Sequence, residues 1–312
     1  RSRRQRQMCI RDRNLAMQFE ALISNANALE GNIGVLFAND EKTIASIIEI
    51  LEQTNCHVTL YGVKDPTELI RSFNIDGAFL NRIHLRTFQE REDVFQKCAD
   101  DLNQQVTHVL MKGDITSSEI LSFVLKNKSF MDKQHFLNHV ACFDIPSYHK
   151  MLILSDVALN VHPSIDERIQ MIENIEIFAK KIGYASLNVG LLSSVEHPTS
   201  KIPSSIDAAE IAAHFKEDDY LKVDGPFAFD NAIDKESAIE KNIDSDIAGD
   251  IDALIVPHID VGNALYKAFT YFANAQTANL ILGSKFPIVL TSRADSVQNK
   301  VNSAILALHT LK

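Results

Sequence analysis

Short runs of aliphatic and β-branched residues recur along this chain. They alternate with stretches in which apolar residues return every three or four positions. The runs fall at 33–37, 58–61, 108–111, 151–154, 188–192, 221–223, 253–256, 280–282 and 288–290. Residues 164–182 carry Ile165, Ile169, Ile172, Ile175, Ala179 and Ile182. Residues 260–275 carry Val261, Leu265, Ala268, Phe269 and Phe272, and 295–311 carry Val297, Val301, Ala304, Ile305, Leu308 and Leu311. These are helical spacings. Strands this short, with no polar alternation, suit a parallel sheet covered by helices on both faces, so the expected class is α/β with mostly parallel sheets. Ligands of such sheets bind outside the carboxyl ends of strands, so residues just after each run are the ones to inspect.

The chain has 312 residues, 46% hydrophobic and 23% charged, which is a globular composition with ample core. Its net charge of −10 argues against binding a nucleic-acid backbone. With no run of 18 apolar residues, no membrane helix is expected. The charge is uneven: residues 1–14 are net +5 and the remainder −15. Residues 1–16 read as a non-native or disordered basic head: a nucleic-acid or targeting arm is one reading, adapter-like sequence joined to a gene is the preferred one, and with an ordinary amphipathic pattern starting at Met17 they are set aside. The cysteines, Cys9, Cys56, Cys98 and Cys142, form no CxxC pair. Together with the lack of a secretory pattern, they suggest free thiols in the cytoplasm.

No Gly/Ser-rich or Pro-rich linker divides the chain, but composition shifts near Pro146, after which strand–helix units become cleaner. An α/β chain of this size commonly forms two domains with a cleft between them.

The sharpest local feature is IVLTSRADS, 288–296, where an expected strand gives way to the final helix. A helix N-terminus offers free N–H groups and a positive dipole end. Arg293, the only arginine from 169 to 312, adds a bidentate fork for phosphate or carboxylate, and Ser292 adds a hydroxyl. The spacing also fits a capping box, Ser292 capping and Asp295 reaching back; the two roles are compatible. Three more loops follow strands. KVDGPFAFDNA, 222–232, supplies Asp224 and Asn231, which could orient a substrate or serve a plain turn. VPHIDVGNALYK, 256–267, supplies Gly262 and Asn263, where a glycine permits close approach to a ligand. SDVALNVHPS, 155–164, supplies Asn160. Four such loops fit a shared cleft.

Other signals fail. Neither GxGxxG, GxxxxGK[ST] nor GxSxG occurs. His135, His139 and Cys142 have loosely metal-like spacing but no second pair, so a core or interface histidine is the better account. Asp244, Asp246, Asp250 and Asp252 lack the ligand pattern of an EF-hand and read as a solvated loop. No metal site is expected.

The segments VTHVLMKGDITSSEIL, SDVALNVHPSIDERIQMIENIEIFAKKIG, KVDGPFAFDNAI, AGDIDALIVPHIDVGNALYKAFTYFANA and IVLTSRADSVQNKVNSA, in this order, resemble the phosphate acetyl/butyryltransferase family, and its butyryl branch most. The resemblance implies reversible acyl transfer between coenzyme A and inorganic phosphate, both as substrates, with no tightly bound cofactor. It implies a two-domain isocitrate/isopropylmalate-dehydrogenase-like fold with an interdomain cleft. On this sequence that suggests 17–145 with 291–312 as one domain and 146–290 as the other. It also suggests a homo-oligomer. The family's serine–arginine pair matches Ser292 and Arg293: the serine for the thiol sulfur or the developing oxyanion, the arginine for the phosphoryl group. Thr291 adjoins the pair. Some acetyl-specific members carry an aspartate seven residues after that serine as the thiol base; here Asn299 stands there, and Asp295 is the substitute candidate. Arg82, Arg86 and Arg168 are unassigned candidates for further phosphate contacts.

Two other functions compete with this one. The first is a metal- and NAD-dependent 2-hydroxyacid decarboxylating dehydrogenase of the same fold, against which the scarcity of arginine weighs. The second is a non-catalytic coenzyme A-binding module, for which Asn299 is the only hint.

Overall fold

The computed structural model describes residues 17–131, 136–215, 219–292 and 294–312. The chain forms two compact units. One is discontinuous, Leu22–Leu137 with Ala278–Lys312; the other is Asn138–Thr277, joined by residues 17–21. The breaks fall at 137/138 and 277/278, whereas the sequence reading put them at 145/146 and 290/291. Strand pairing explains the first shift: residues 138–144 form a strand against 152–155 and so join the second unit.

In the discontinuous unit, β1 (Asn32–Leu36), β2 (His57–Gly62), β3 (Ile83–Thr87) and β4 (Val109–Lys112) precede the inserted unit. The inserted unit holds β5 (Asn138–Asp144), β6 (Leu152–Ser155), β7 (Leu187–Leu192), β8 (Leu221–Phe227) and β9 (Ala253–Ile255). The chain then forms β10 (Gln276–Leu282) and β11 (Ile288–Val289). The discontinuous unit has strand order β3-β2-β1-β4-β11-β10, parallel except for β10 with β11. The inserted unit has order β5-β6-β9-β7-β8, parallel except for β5 with β6. The mixed α/β, mostly parallel architecture is therefore as the alternating pattern implies.

The apolar runs are buried where a two-sided sheet requires it. Ile33, Val35, Val58, Val109, Leu110, Ile288 and Val289 are wholly inaccessible. Helix Glu41–Gln53 covers them with Ile44, Ile47 and Leu51, beside the final helix, Val297–His309, with Val301, Ala304, Ile305 and Leu308. In the inserted unit, Phe143 and Phe269 meet edge to face at 5.1 Å inside a cluster that includes Leu154, Leu192, Phe227 and Leu254. Helix Ile165–Ile182 starts with a capping box, Ser164 with Glu167, and stops at Gly183, whose φ of 99° is the left-handed turn that glycine adopts without strain.

Two strands are absent from the sequence reading. β3 is partly exposed along its length, so its apolar signal is weak. β5 carries polar residues inside: Asn138 donates to Ser155 Oγ at 3.0 Å and accepts from Asn174 at 2.9 Å. β8 runs to Phe227 rather than ending at Val223, so Asp224–Pro226 is strand and not a turn. Cys56, Cys98 and Cys142 are free and buried, and burial pushes the thiols of Cys98 and Cys142 upward. His139 is buried on β5, as a core histidine; His135 and Cys9 lie outside the described residues. The acidic segment is not simply a solvated loop. Asp244 and Asp246 are exposed, but Asp252 is buried against Lys150 at 2.8 Å, and Asp250 pairs with His149, Lys150 and Lys235. Among the described residues no helix is long and apolar enough to cross a membrane.

Candidate functional site

Three adjacent parallel strands of the discontinuous unit, β1, β4 and β11, end together. Leu36 pairs with Lys112, and Val289 with Met111. Each strand leads by a short loop to the start of a helix: Glu41–Gln53 capped by Asp40, Ser117–Lys126 by Thr116, and Val297–His309 by Ser296. Parallel strands with helical returns put these N-termini on one side. The first two loops touch at Gly113, where any Cβ would stand 2.5 Å from the carbonyl oxygens of Leu36 and Phe37, so only glycine fits.

Of the third loop, Thr291, Ser292 and residues 294–296 are described. Thr291 is buried; its hydroxyl accepts from Lys300 Nζ at 2.8 Å and its carbonyl from Lys112 Nζ at 3.3 Å. Lys300 also donates to the Ser292 carbonyl at 3.2 Å. The Ser292 N–H donates to Asp295 Oδ2, and the Asp295 N–H returns to the Ser292 carbonyl at 3.2 Å, closing a tight turn. Ser292 is exposed, and among the described residues its hydroxyl has no partner. Burial lowers the pKa of Lys300. Asp295 and Asp40 oppose that shift, and Lys112 and Lys42 add to it.

This geometry corrects the reading of TSRADS as a helix cap. The final helix begins at Val297, and its cap is Ser296, whose hydroxyl accepts from the Asn299 N–H at 3.1 Å. Asp295 reaches back to Ser292 as the spacing predicts, but within a turn that precedes the helix. It does not share a helix face with Asn299, which lies in the first helical turn. Arg293 lies outside the described residues. Sequence reasoning missed Lys112 and Lys300. Both carry a signal: Lys112 closes an apolar strand run before a glycine, and Lys300 sits inside the stripe formed by Val297, Val301 and Ala304.

The other three loops belong to the inserted unit, and there Asp156, Asn160, Asp224 and Asn231 bind protein groups. Asp156 is buried; one oxygen accepts from the N–H groups of Ala158 at 2.9 Å and Leu159 at 2.8 Å, the other from His139 N at 3.0 Å and Asn160 Nδ2 at 2.8 Å. Gly262 is needed because a Cβ there would lie 2.1 Å from the Asp156 carbonyl oxygen, a close approach to the chain itself. Asn263 is exposed on helix Ile259–Tyr271. Asp224 accepts from the adjacent Gly225 N–H at 2.8 Å. Asn231 is inaccessible; its amide donates to Glu196 at 2.8 Å and its carbonyl oxygen accepts from Ser237 at 3.4 Å. Of the unassigned arginines, Arg82 donates to the carbonyls of Leu51, Thr54 and Cys56 at the end of helix Glu41–Gln53. Arg86 donates to its neighbour Leu85, and Arg168 is paired with Asp207 at 2.6 Å. Among the described residues no group of three or more His, Cys, Asp or Glu could hold a metal.

Basic side chains and an exposed hydroxyl at the carboxyl ends of parallel strands define an α/β protein with a candidate anion site. Residues 108–308 match the family described as phosphate acetyl/butaryl transferase. The chain is 34% identical to the probable phosphate butyryltransferase of Bacillus subtilis (strain 168), over 94% of this chain and 97% of that protein. It superposes on the crystal structure of a branched-chain phosphotransacylase from Enterococcus faecalis V583 with a TM-score of 0.80 at 29% identity, covering 90% of this chain and 98% of that one. The 4-hydroxythreonine-4-phosphate dehydrogenase of Klebsiella pneumoniae shares the fold alone, with a TM-score of 0.55 at 10% identity, over 90% of this chain and 100% of that one. The chain belongs to the phosphate acetyl/butyryltransferase family.

Proposed function

We propose that this chain transfers a short acyl group reversibly between coenzyme A and inorganic phosphate, and that Ser292 and Arg293 carry the chemistry. A phosphate oxygen attacks the thioester carbonyl, a tetrahedral oxyanion forms, and the C–S bond breaks to give acyl phosphate and the thiolate, which takes a proton. Thioester and acyl phosphate are comparable acyl donors, so positioning and charge stabilisation supply most of the acceleration. Ser292 donates to the oxyanion or the leaving sulfur, and Arg293 holds the phosphoryl group by a bidentate contact. Asp295 is the proposed base for the thiol in the reverse direction, in place of the aspartate absent at 299. One of its oxygens is occupied by the Ser292 N–H, so the other would act. Thr291 precedes the pair and Asn299 lies in the first turn of the helix that follows; Asp224, Asn231, Gly262 and Asn160 hold the strand-end loops of the inserted unit in shape, and Asn263 is the exposed member of that set.

The observation that carries this reading is the exposed hydroxyl of Ser292 next to Thr291, which two buried lysines hold, in a chain that belongs to this family along most of its length. We read the two units as the domains of an isocitrate/isopropylmalate-dehydrogenase-like fold, which the likeness to the Klebsiella dehydrogenase supports. The buried free thiols suit the cytoplasm. A homo-oligomer would cover Tyr271 and Phe272, exposed at 78% and 89%.

The test is thiol release from butyryl-, branched-chain or acetyl-CoA. Phosphate-dependent release with no added metal or NAD is the expected result. Release independent of phosphate, or NAD reduction with a hydroxyacid instead, would overturn the reading.

A further inference from the structure

Lys300 stands where a lysine is electrostatically expensive. It lies in the first turn of helix Val297–His309, where the helix dipole disfavours a cation. Its ammonium is buried, and a second buried lysine, Lys112, reaches the same residue, Thr291. Among the described residues no carboxylate lies within ion-pair distance of it, and its acceptors are the Thr291 hydroxyl at 2.8 Å and the Ser292 carbonyl at 3.2 Å. Buried cations are ordinarily paired, as Lys150 is with Asp250 and Asp252 in the inserted unit. Anchoring a turn needs only a neutral donor, so the retained charge calls for an anion.

We propose that Lys300 is a positioning residue for phosphate. Through Thr291 and Ser292 it fixes the turn that presents the Ser292 hydroxyl, and its charge, with that of Lys112 behind it, raises the local potential that holds the phosphate dianion. The proposal rests on the acyl-transfer reading and adds to it a residue that no motif of the serine–arginine pair contains. The charged groups facing Lys300 are Asp295 in the turn, Lys112 on β4, Asp40 at the cap of helix Glu41–Gln53 and Lys42 within that helix. Burial, opposed by Asp295 and Asp40, lets the ammonium lose its proton at a lower pH than an ordinary lysine.

The experiment compares wild type, Lys300→Arg and Lys300→Met. It measures KM for phosphate, KM for butyryl-CoA and kcat across alkaline pH, and the thermal shift given by inorganic phosphate alone. In Lys300→Met, KM for phosphate should rise about tenfold or more while KM for butyryl-CoA changes less than about twofold. The wild-type rise of phosphate KM at alkaline pH should vanish in Lys300→Met and move to higher pH in Lys300→Arg, whose guanidinium stays charged. A phosphate KM unchanged in Lys300→Met overturns the proposal. So does an equal loss in both KM values with the alkaline rise retained, which is what a structural anchor alone would give. If Lys300→Met does not fold, the Arg variant decides, since an unmoved alkaline rise refutes the charge role. If wild type fails to release thiol, the acyl-transfer reading falls on its own. The phosphate thermal shift then still tests Lys300: it should be present in wild type and lost in Lys300→Met, and a shift equal in both proteins overturns the role.

Discussion

The two units end their parallel strands in polar loops of similar composition, yet those loops use their polar atoms differently. In the inserted unit, Asp156 accepts four hydrogen bonds and Asn231 is closed between Glu196 and Ser237; at the opposite strand ends Lys150 is matched by Asp250 and Asp252. In the discontinuous unit, the Ser292 hydroxyl is open and Lys300 lies beyond ion-pair distance of any carboxylate among the described residues. A polar side chain whose bonds are complete stabilises its own fold. One that is held in place with capacity left over can bind something else, because a ligand then adds bonds without breaking existing ones. On this contrast the first set serves its own fold, and the proposed chemistry falls to the second.

The largest effect should follow loss of the open hydroxyl. Ser292→Ala is expected to lower kcat about a hundredfold or more, as removal of a single oxyanion donor does, with unfolding unchanged. Wild-type turnover in this variant would put the chemistry elsewhere. Gly262→Ala should act in the opposite sense. Its Cβ would stand 2.1 Å from the Asp156 carbonyl oxygen, so the variant should lose about 3 kcal/mol in denaturant unfolding. Whatever fraction stays folded should keep its KM values. A stable Gly262→Ala with a raised KM for acyl-CoA would place Gly262 among the binding residues and weaken the contrast.

How far the sequence announces this arrangement depends on what kind of signal a residue carries. Strand and helix positions are legible where burial is two-sided, as at Val109–Met111, because the apolar run is then continuous. β3 escapes because it is partly exposed, and β5 because Asn138 satisfies its amide with Ser155 and Asn174 inside the protein. The turn at Thr291–Asp295 is legible as a place but not as a shape. S-x-x-D fits a capping box, and only the competing cap at Ser296 shows that the helix starts later. Composition alone cannot tell Asn231 from Ser292. Both are small polar residues following strands, and the difference lies in partners that come from Glu196 and Ser237. The buried lysines are a polar type at apolar positions, and that is where local pattern and fold disagree for a reason.

Asn231 gives a smaller but more direct test of this distinction. Asn231→Ala removes one partner of Glu196, which keeps Lys241, and one of Ser237, which keeps Asp230, and should cost about 1–2 kcal/mol in unfolding free energy with KM values unchanged. If instead stability holds and KM for acyl-CoA rises severalfold, the inserted unit's loops bind substrate and the two regions are not divided as argued.

The smallest effects lie in the dependence of stability on pH, and they separate compensated from uncompensated charge. Burial pushes Asp250 upward, but the hydrogen bond with His149 and the charges of Lys150 and Lys235 outweigh it and hold the carboxyl well below its ordinary range. Its contribution is therefore complete above the unfolded value of about 4 and is lost as pH falls below that. Lys300 is also lowered, by burial, but it is a base. Between its folded value and the ordinary lysine value of about 10.4, the unfolded chain binds the extra proton, so stability rises with pH in that alkaline window. Asp250→Asn should flatten the acid loss and leave the alkaline rise; Lys300→Met should do the reverse. Asp252, which burial raises despite Lys150, opposes Asp250 on the acid side, so the variants must be made singly. If Lys300→Met left the alkaline rise intact, the ammonium would be no less stable in the fold than in water, and the electrostatic difference between the two regions would disappear.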